Sequence, residues 1–245
     1  MDVLESLAPE RSPDRGKRPS NRVTTICRAI QTAIAEQRLM PGTRLSEDQL
    51  GGIFGASRTL VRAALQSLAR DGVVVLTRNK GAAVARPTVE DARALFEARR
   101  IIEAATVSRA ALRVTAADIA TLEALVKRGR DALDTQDRGR AIRMSGEFHL
   151  AIARMAKQPV LHEFLSELVA RSSLVIALYG HSAHSECGDA EHAGLIDILR
   201  NRDPALATAT MIRHLDHIEA DLDLVQQPPE ARPLSDILRA SSGAD

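Results

Sequence analysis

Residues 57–72 read SRTLVRAALQSLARDG. Wound as an α-helix, Val61, Ala64, Leu65, Leu68 and Ala69 fall on one apolar stripe at helical spacing. Arg58, Arg62, Gln66 and Arg70 follow one another at steps of four on another face. Ser57 is a good N-cap, and Gly72 stands just past the far end, where a left-handed residue is needed. A recognition helix for DNA needs these properties. One side is buried and fixes the pose, and arginines near the N-terminus can bond guanine edges through two parallel hydrogen bonds. An arginine row alone also fits a solvated basic face, so the flanking segments decide.

Upstream, Val23, Ile26, Ala29, Ile30, Ala33 and Ile34 share one helical face from Asn21 onward, and Pro41-Gly42 ends the pattern. Ser46 caps a short helix that runs through Phe54 and stops at Gly55. Downstream, VVVLTRNKGAAVA contains two β-prone runs, Val73–Leu76 and Ala82–Ala85, joined by a turn that carries Arg78 and Lys80. Three helices followed by a hairpin, in about 65 residues, is the order of a winged helix-turn-helix.

Charge divides the chain in the same place. Residues 22–86 hold ten Lys/Arg against four Asp/Glu, whereas 87–245 hold 19 against 24, beneath a net charge of only +1. A small basic module joined to a larger acidic one suggests that only the first meets a polyanion. Aromatic residues make up 2 % of the chain and Trp is absent. The core must therefore be filled by Leu, Ala, Ile and Val, which favours helix-on-helix packing. No apolar run reaches the roughly 18 residues of a spanning helix, no signal peptide is recognisable, and Cys27 and Cys187 make no disulfide framework. A cytoplasmic protein is expected.

From Pro87 the chain reads as helices only, at about Val89–Leu112, Ala116–Leu133, Arg138–Ala156, Val160–Leu178, Asp189–Arg200 and Pro204–Leu224. The expected fold is mainly α: an N-terminal winged helix-turn-helix and then an all-helical antiparallel bundle. The divisions are a mobile tail (1–20), the DNA-binding domain (21–86), a helical effector-binding and dimerisation domain (87–224), and a C-terminal tail (225–245).

The segment PGTRLSEDQL…GASRTLVRAALQSLARDGVV resembles the N-terminal module of GntR-type bacterial transcription regulators. The resemblance implies that Ser57, Arg58, Thr59 and Arg62 meet DNA, and that Gly81 lets the wing approach the minor groove; Arg44, with Arg78 and Lys80 of the hairpin turn, completes the expected DNA-contact set. Asp48 is left out, because relatives sometimes carry a basic residue there. FEARRIIEAA, EFHLAIA and EHAGLIDILRNRDPALATATMIRHL are similar to the FCD effector domain of FadR-like members, in the VanR-like branch with six helices.

All seven histidines lie in the helical half. Spacing alone reads His149, His192 and His214 as ordinary helix histidines, although three helices can bring three imidazoles together in a bundle core. The resemblance implies a divalent metal, zinc or nickel, held by these three and an aspartate at the floor of a pocket for small carboxylates. The aspartate would stand four residues before His149, where this chain has Ser145. The expectation is therefore three histidines plus water or effector, or no metal. Arg99, with Glu103 one turn later, reads either as a pocket arginine for a carboxylate or as a plain i,i+4 pair worth about 0.3–0.5 kcal/mol. Arg143 is a further pocket candidate, so the effector set is Arg99, Arg143, Ser145, His149, His192 and His214. The cluster His181, His184 and Cys187 has a spacing that could bind a metal or sense oxidation, but reads first as a polar loop with an incidental thiol.

The function expected is a ligand-responsive repressor, released from a two-fold symmetric DNA operator by a small, carboxylate-bearing metabolite and acting as a homodimer away from membranes. The alternative is a metal-dependent enzyme built on the three histidines. It lacks an activated nucleophile or a paired acid and base nearby.

Overall fold

The computed structural model describes residues 19–78, 80–180 and 185–224. The N-terminal part contains α1 (Pro19–Ala35), β1 (Arg44–Leu45), α2 (Glu47–Phe54), α3 (Arg58–Arg70), β2 (Val74–Thr77) and β3 (Gly81–Val84). Local chemistry sets these boundaries. The Ser46 hydroxyl accepts from Gln49 N and the Ser57 hydroxyl from Leu60 N, each satisfying an otherwise orphaned helix amide. Gly55 and Gly72 hold positive φ, of 56° and 72°, at the ends of α2 and α3. The apolar stripe of α3 is buried at Val61, Ala64, Leu65 and Leu68, against Ile26, Ile30 and Ile34 of α1 and Leu50 of α2.

Two expectations are corrected here. The wing is a three-stranded antiparallel sheet in the order β1-β3-β2, and not a lone hairpin. β1 has two residues, Arg44 opposite Ala83 and Leu45 opposite Ala82, too few to show any alternation in sequence. The first helix begins at Pro19, inside the stretch expected to be tail; proline suits a first helical turn.

The second part holds α4 (Val89–Ala111), α5 (Ala116–Asp134), α6 (Arg138–Met155), α7 (Pro159–Tyr179), α8 (Ser185–Arg200) and α9 (Pro204–Ala220). Capping boxes start α4 (Thr88 with Asp91) and α5 (Thr115 with Asp118), while Asp203 caps α9 ahead of Pro204. α8 starts at Ser185, ahead of the expected Asp189, and α9 ends at Ala220, short of Leu224. Past α9 the chain turns back: Leu222 forms a β-bridge with Gly180, and Asp223 N donates to Tyr179 O at 2.8 Å. α4 packs on α9 and α7, α5 on α6 and α8, and α6 on α7. Their main core contains Val107, Leu122, Phe148, Ile152, Leu195 and Met211.

The two parts meet directly. Leu174 of α7 belongs to the core of the N-terminal part. The chain leaving α1 lies on the first two turns of α6, where Arg143 Nε donates to Glu36 Oε1 at 2.6 Å. A Cβ on Gly139 would stand 1.9 Å from the carbonyl oxygen of Glu36, so only glycine permits this approach. Gly139→Ala should accordingly cost roughly 1–3 kcal/mol, the usual range for overpacking. Urea unfolding checks this; an unchanged midpoint would mean that the contact yields freely.

Candidate functional site: a basic helix face and a histidine-lined cavity

Every residue in the expected DNA-contact set (Arg44, Ser57, Arg58, Thr59, Arg62, Arg78, Lys80 and Gly81) is exposed. Arg62 is bidentate to Glu47, at 2.9 and 2.8 Å, and Arg58 pairs with Asp48 at 2.7 Å. The hydrogen bond from Arg62 pulls the Glu47 carboxyl below its usual range. Pairs this open to water contribute little to stability, so exchanging a carboxylate for a phosphate or a base edge is cheap. They also draw both guanidiniums toward the first turn of α2.

The second feature is a cavity of about 150 Å³ inside the helical part. α6 contributes Ile142, Ser145 and His149, α7 contributes Ser172, Ser173 and Ile176, α8 contributes His192, and α9 contributes His214 and His217. His149, His192 and His214 are all buried, and one ring nitrogen of each lies within 4.8 Å of the others. The Nε2 atoms of His192 and His214 are 3.2 Å apart, and those of His214 and His149 are 3.4 Å apart. The His192 ring stacks on Phe148, with centroids 4.1 Å apart.

Two carboxylates orient these rings from behind. Glu103, 1 % exposed, accepts from His149 Nδ1 at 2.5 Å and from Arg99 Nε at 2.7 Å. Glu191 accepts from His214 Nδ1 at 2.6 Å and also from His217 Nδ1. Burial raises the Glu103 carboxyl, but Arg99 and His149 outweigh it and hold it at about 2. Burial pushes His149 down to about 4 against the pull of Glu103. His192 also falls well below its usual range, first through burial and then through His214 and His149. His149 and His192 are thus neutral at neutral pH. The Nδ1 atoms of His149 and His214 are engaged by carboxylates, which leaves their Nε2 atoms turned toward each other. The donor set fits a divalent ion with imidazole ligands and carboxylates in the outer layer.

Matches to family models follow the same division of the chain. Residues 22–84 match the model described as bacterial regulatory proteins, gntR family, and residues 94–217 match the FCD domain. The chain belongs to the GntR family and carries an FCD domain. It is similar to the HTH-type transcriptional repressor RspR of Escherichia coli K12, with 25 % identity over 203 residues, 82 % of this chain and 89 % of that one. It is also similar to the HTH-type transcriptional repressor NanR of Salmonella newport, at 28 % over 197 residues, 71 % of this chain and 75 % of that one. The fold is that of E. coli McbR/YncC, with a TM-score of 0.74 at 20 % identity over 81 % of this chain and 95 % of that one. A GntR regulator from Rhodococcus sp. RHA1 gives 0.71 at 24 %, over 82 % and 96 %. Family and relatives are transcription regulators, which sets the enzyme alternative aside.

The expected effector residues are sorted by this GntR–FCD structure. Arg99, Ser145, His149, His192 and His214 all line the cavity. Arg99 fits both readings at once, since it pairs with Glu103, reaches Ser172 Oγ at 3.2 Å and still borders the cavity. Arg143 is corrected: its guanidinium is spent on Glu36 of the DNA-binding part, because residue 143 sits on a different flank of α6 from Ser145 and His149. Sequence reasoning missed what Glu103 and Glu191 do for the imidazoles. The available signal was a carboxylate within a buried stripe, at i+4 from Arg99, which demands compensation. The side chains of His181, His184 and Cys187 lie outside the described residues.

The sign of the pH dependence follows from these values. Below about pH 6.5 an unfolded histidine takes up a proton, whereas folded His149 stays neutral down to about 4. The metal-free protein should therefore lose stability as pH falls from about 6.5 toward 4, by roughly 2 kcal/mol from His149 at pH 5. Glu103, held at about 2, adds a further loss below about pH 4.5. Urea titrations with chelator at pH 7.5 and 5 measure this, and His149→Gln should flatten the profile. Equal midpoints at both pH values for the unaltered protein would contradict a buried neutral imidazole.

Proposed function

We propose that this GntR–FCD regulator is a repressor released from its operator by a small carboxylate-bearing metabolite bound in the histidine-lined cavity. The observation that carries the reading is the convergence of three buried imidazoles, two of them held by carboxylates, on the wall of a cavity, in a chain that also displays an arginine-bearing helix. His149, His192 and His214 would hold a zinc or nickel ion, and Ser145 stands where a carboxylate ligand is expected. The ion would supply a positive centre for an anionic effector; Arg99, in contact with Ser172, offers a second one. Arg58, Thr59 and Arg62 would read the major groove from α3. Arg44 would contact backbone near the sheet, and Arg78, Lys80 and Gly81 would form the wing that approaches the minor groove. The protein would work in the cytoplasm as a homodimer, with two recognition helices on half-sites about one helical turn apart.

Two measurements test this. The purified protein should bind DNA upstream of its own gene in a sequence-selective, salt-dependent way, and Arg62→Ala should weaken that binding by about tenfold or more, the equivalent of roughly 1–3 kcal/mol. Binding that ignores sequence would defeat the operator reading. Elemental analysis of untagged protein should find about one divalent ion per chain, lost in His192→Ala. In Ser145→Asp, which restores the carboxylate, retention against a chelator should rise by an order of magnitude or more. Metal content that is unchanged in His192→Ala would place the ion elsewhere.

A further inference from the structure

α6 and α7 each serve the cavity and the DNA-binding part at once. α6 turns Ser145 and His149 to the cavity. On the neighbouring flank of the same helix, Gly139 and Arg143 meet Glu36 at the end of α1. α7 repeats the arrangement. Ser173 and Ile176 line the cavity, Leu174 enters the core beneath α3, and the stem of Arg171 lies 3.2 Å from where a Cβ of Gly72 would be. Gly72 follows α3 almost directly. Packed helices move as bodies and not as continuous media. A displacement of either helix on the cavity side must therefore appear where it touches the DNA-binding part.

Glu36 is built so that this joint can open at low cost. Its carboxylate has two cations, Arg143 on Oε1 at 2.6 Å and Arg38 on Oε2 at 2.8 Å. Arg38 belongs to the DNA-binding part and travels with Glu36. If α6 withdraws Arg143, Glu36 keeps one partner, so no half-buried charge is left alone. The contact at Gly139 is against backbone, so it cannot be relieved by a side-chain rotation.

We propose that α6 and α7 are the transmission element of this regulator, and that Glu36–Arg143, seated over Gly139, is the latch through which the state of the cavity reaches α1 and α3. The proposal rests on the reading of the cavity as the effector site. Glu36 keeps a cation in either state of the latch, which lowers the cost of moving between the two.

The test is hydrogen exchange of the full-length protein, with chelator present so that metal plays no part. Ser145→Met fills the cavity and Ile142→Ala enlarges it from the same helix. Each should change exchange of the amides of residues 30–40 by about threefold or more, and Arg143→Gln should abolish that change. The latch is refuted if the folded cavity variants leave these amides unchanged, or if the change persists undiminished beside Arg143→Gln. Should Ser145→Met fail to fold, by circular dichroism, Ile142→Ala alone decides. Failure of the metal reading would show up separately, as absence of metal from the unaltered protein, and would leave this result standing.

Discussion

A carboxylate buried to 1 % exposure is the constraint on which the effector half depends. An unpaired charge in an apolar interior costs several kcal/mol or more, so Glu103 can exist there only with partners on both oxygens. Arg99 takes one and His149 takes the other. Each pairing has a consequence. Arg99, held by Glu103, reaches Ser172 and so ties α4 to α7 at the cavity edge. His149, with its proton committed at Nδ1, turns the free Nε2 toward His214 and His192. A requirement of charge compensation thereby becomes a requirement of ligand geometry. Glu191 acts in the same way on His214, from a more exposed position.

The second organising feature is how closely α6 is approached on its inner flanks. Gly139 lets the end of α1 lie against it, and at Gly146 a Cβ would stand 2.9 Å from a methyl of Val169. Small residues at these points bring the end of α1 and α7 close against α6. The same helix carries Ser145 and His149 into the cavity. A helix that is buried against a DNA-reading module, a neighbouring helix and a cavity cannot adjust to one without disturbing the others. That is a physical basis for regulation in a chain whose two parts share core residues such as Leu174.

The helices were legible because their signals are local. Ser46, Ser57, Thr88, Thr115 and Asp203 announce starts through side chains that bond amides two or three residues on, and the apolar stripe of α3 has the helical period. β1 was not legible, because two residues carry no period and its pairing with β3 reaches across almost forty residues of chain. The start of α8 was placed late for a related reason: Ser185 to Gly188 are polar or small and read as loop. His149, His192 and His214 were nominated by resemblance to the FCD domain and not by spacing. Arg143 was placed in the wrong neighbourhood. Helical periodicity gives a side chain its angle about its own axis, but not what lies at that angle.

The sequence by itself determined that a basic winged helix-turn-helix precedes an acidic helical bundle, that α3 buries one face and shows arginines on another, and that a hydroxyl stands at Ser145. These follow from composition, caps and period, all of which act over a few residues. Only the tertiary structure decided that three imidazoles meet, that Glu103 and Glu191 hold two of them, His149 and His214, at Nδ1, and that Arg143 reaches for Glu36. Those partners are separated by 22 to 107 residues. Their meeting depends on the angle and depth at which whole helices pack, and that is set by the joint filling of the core and not by any one segment.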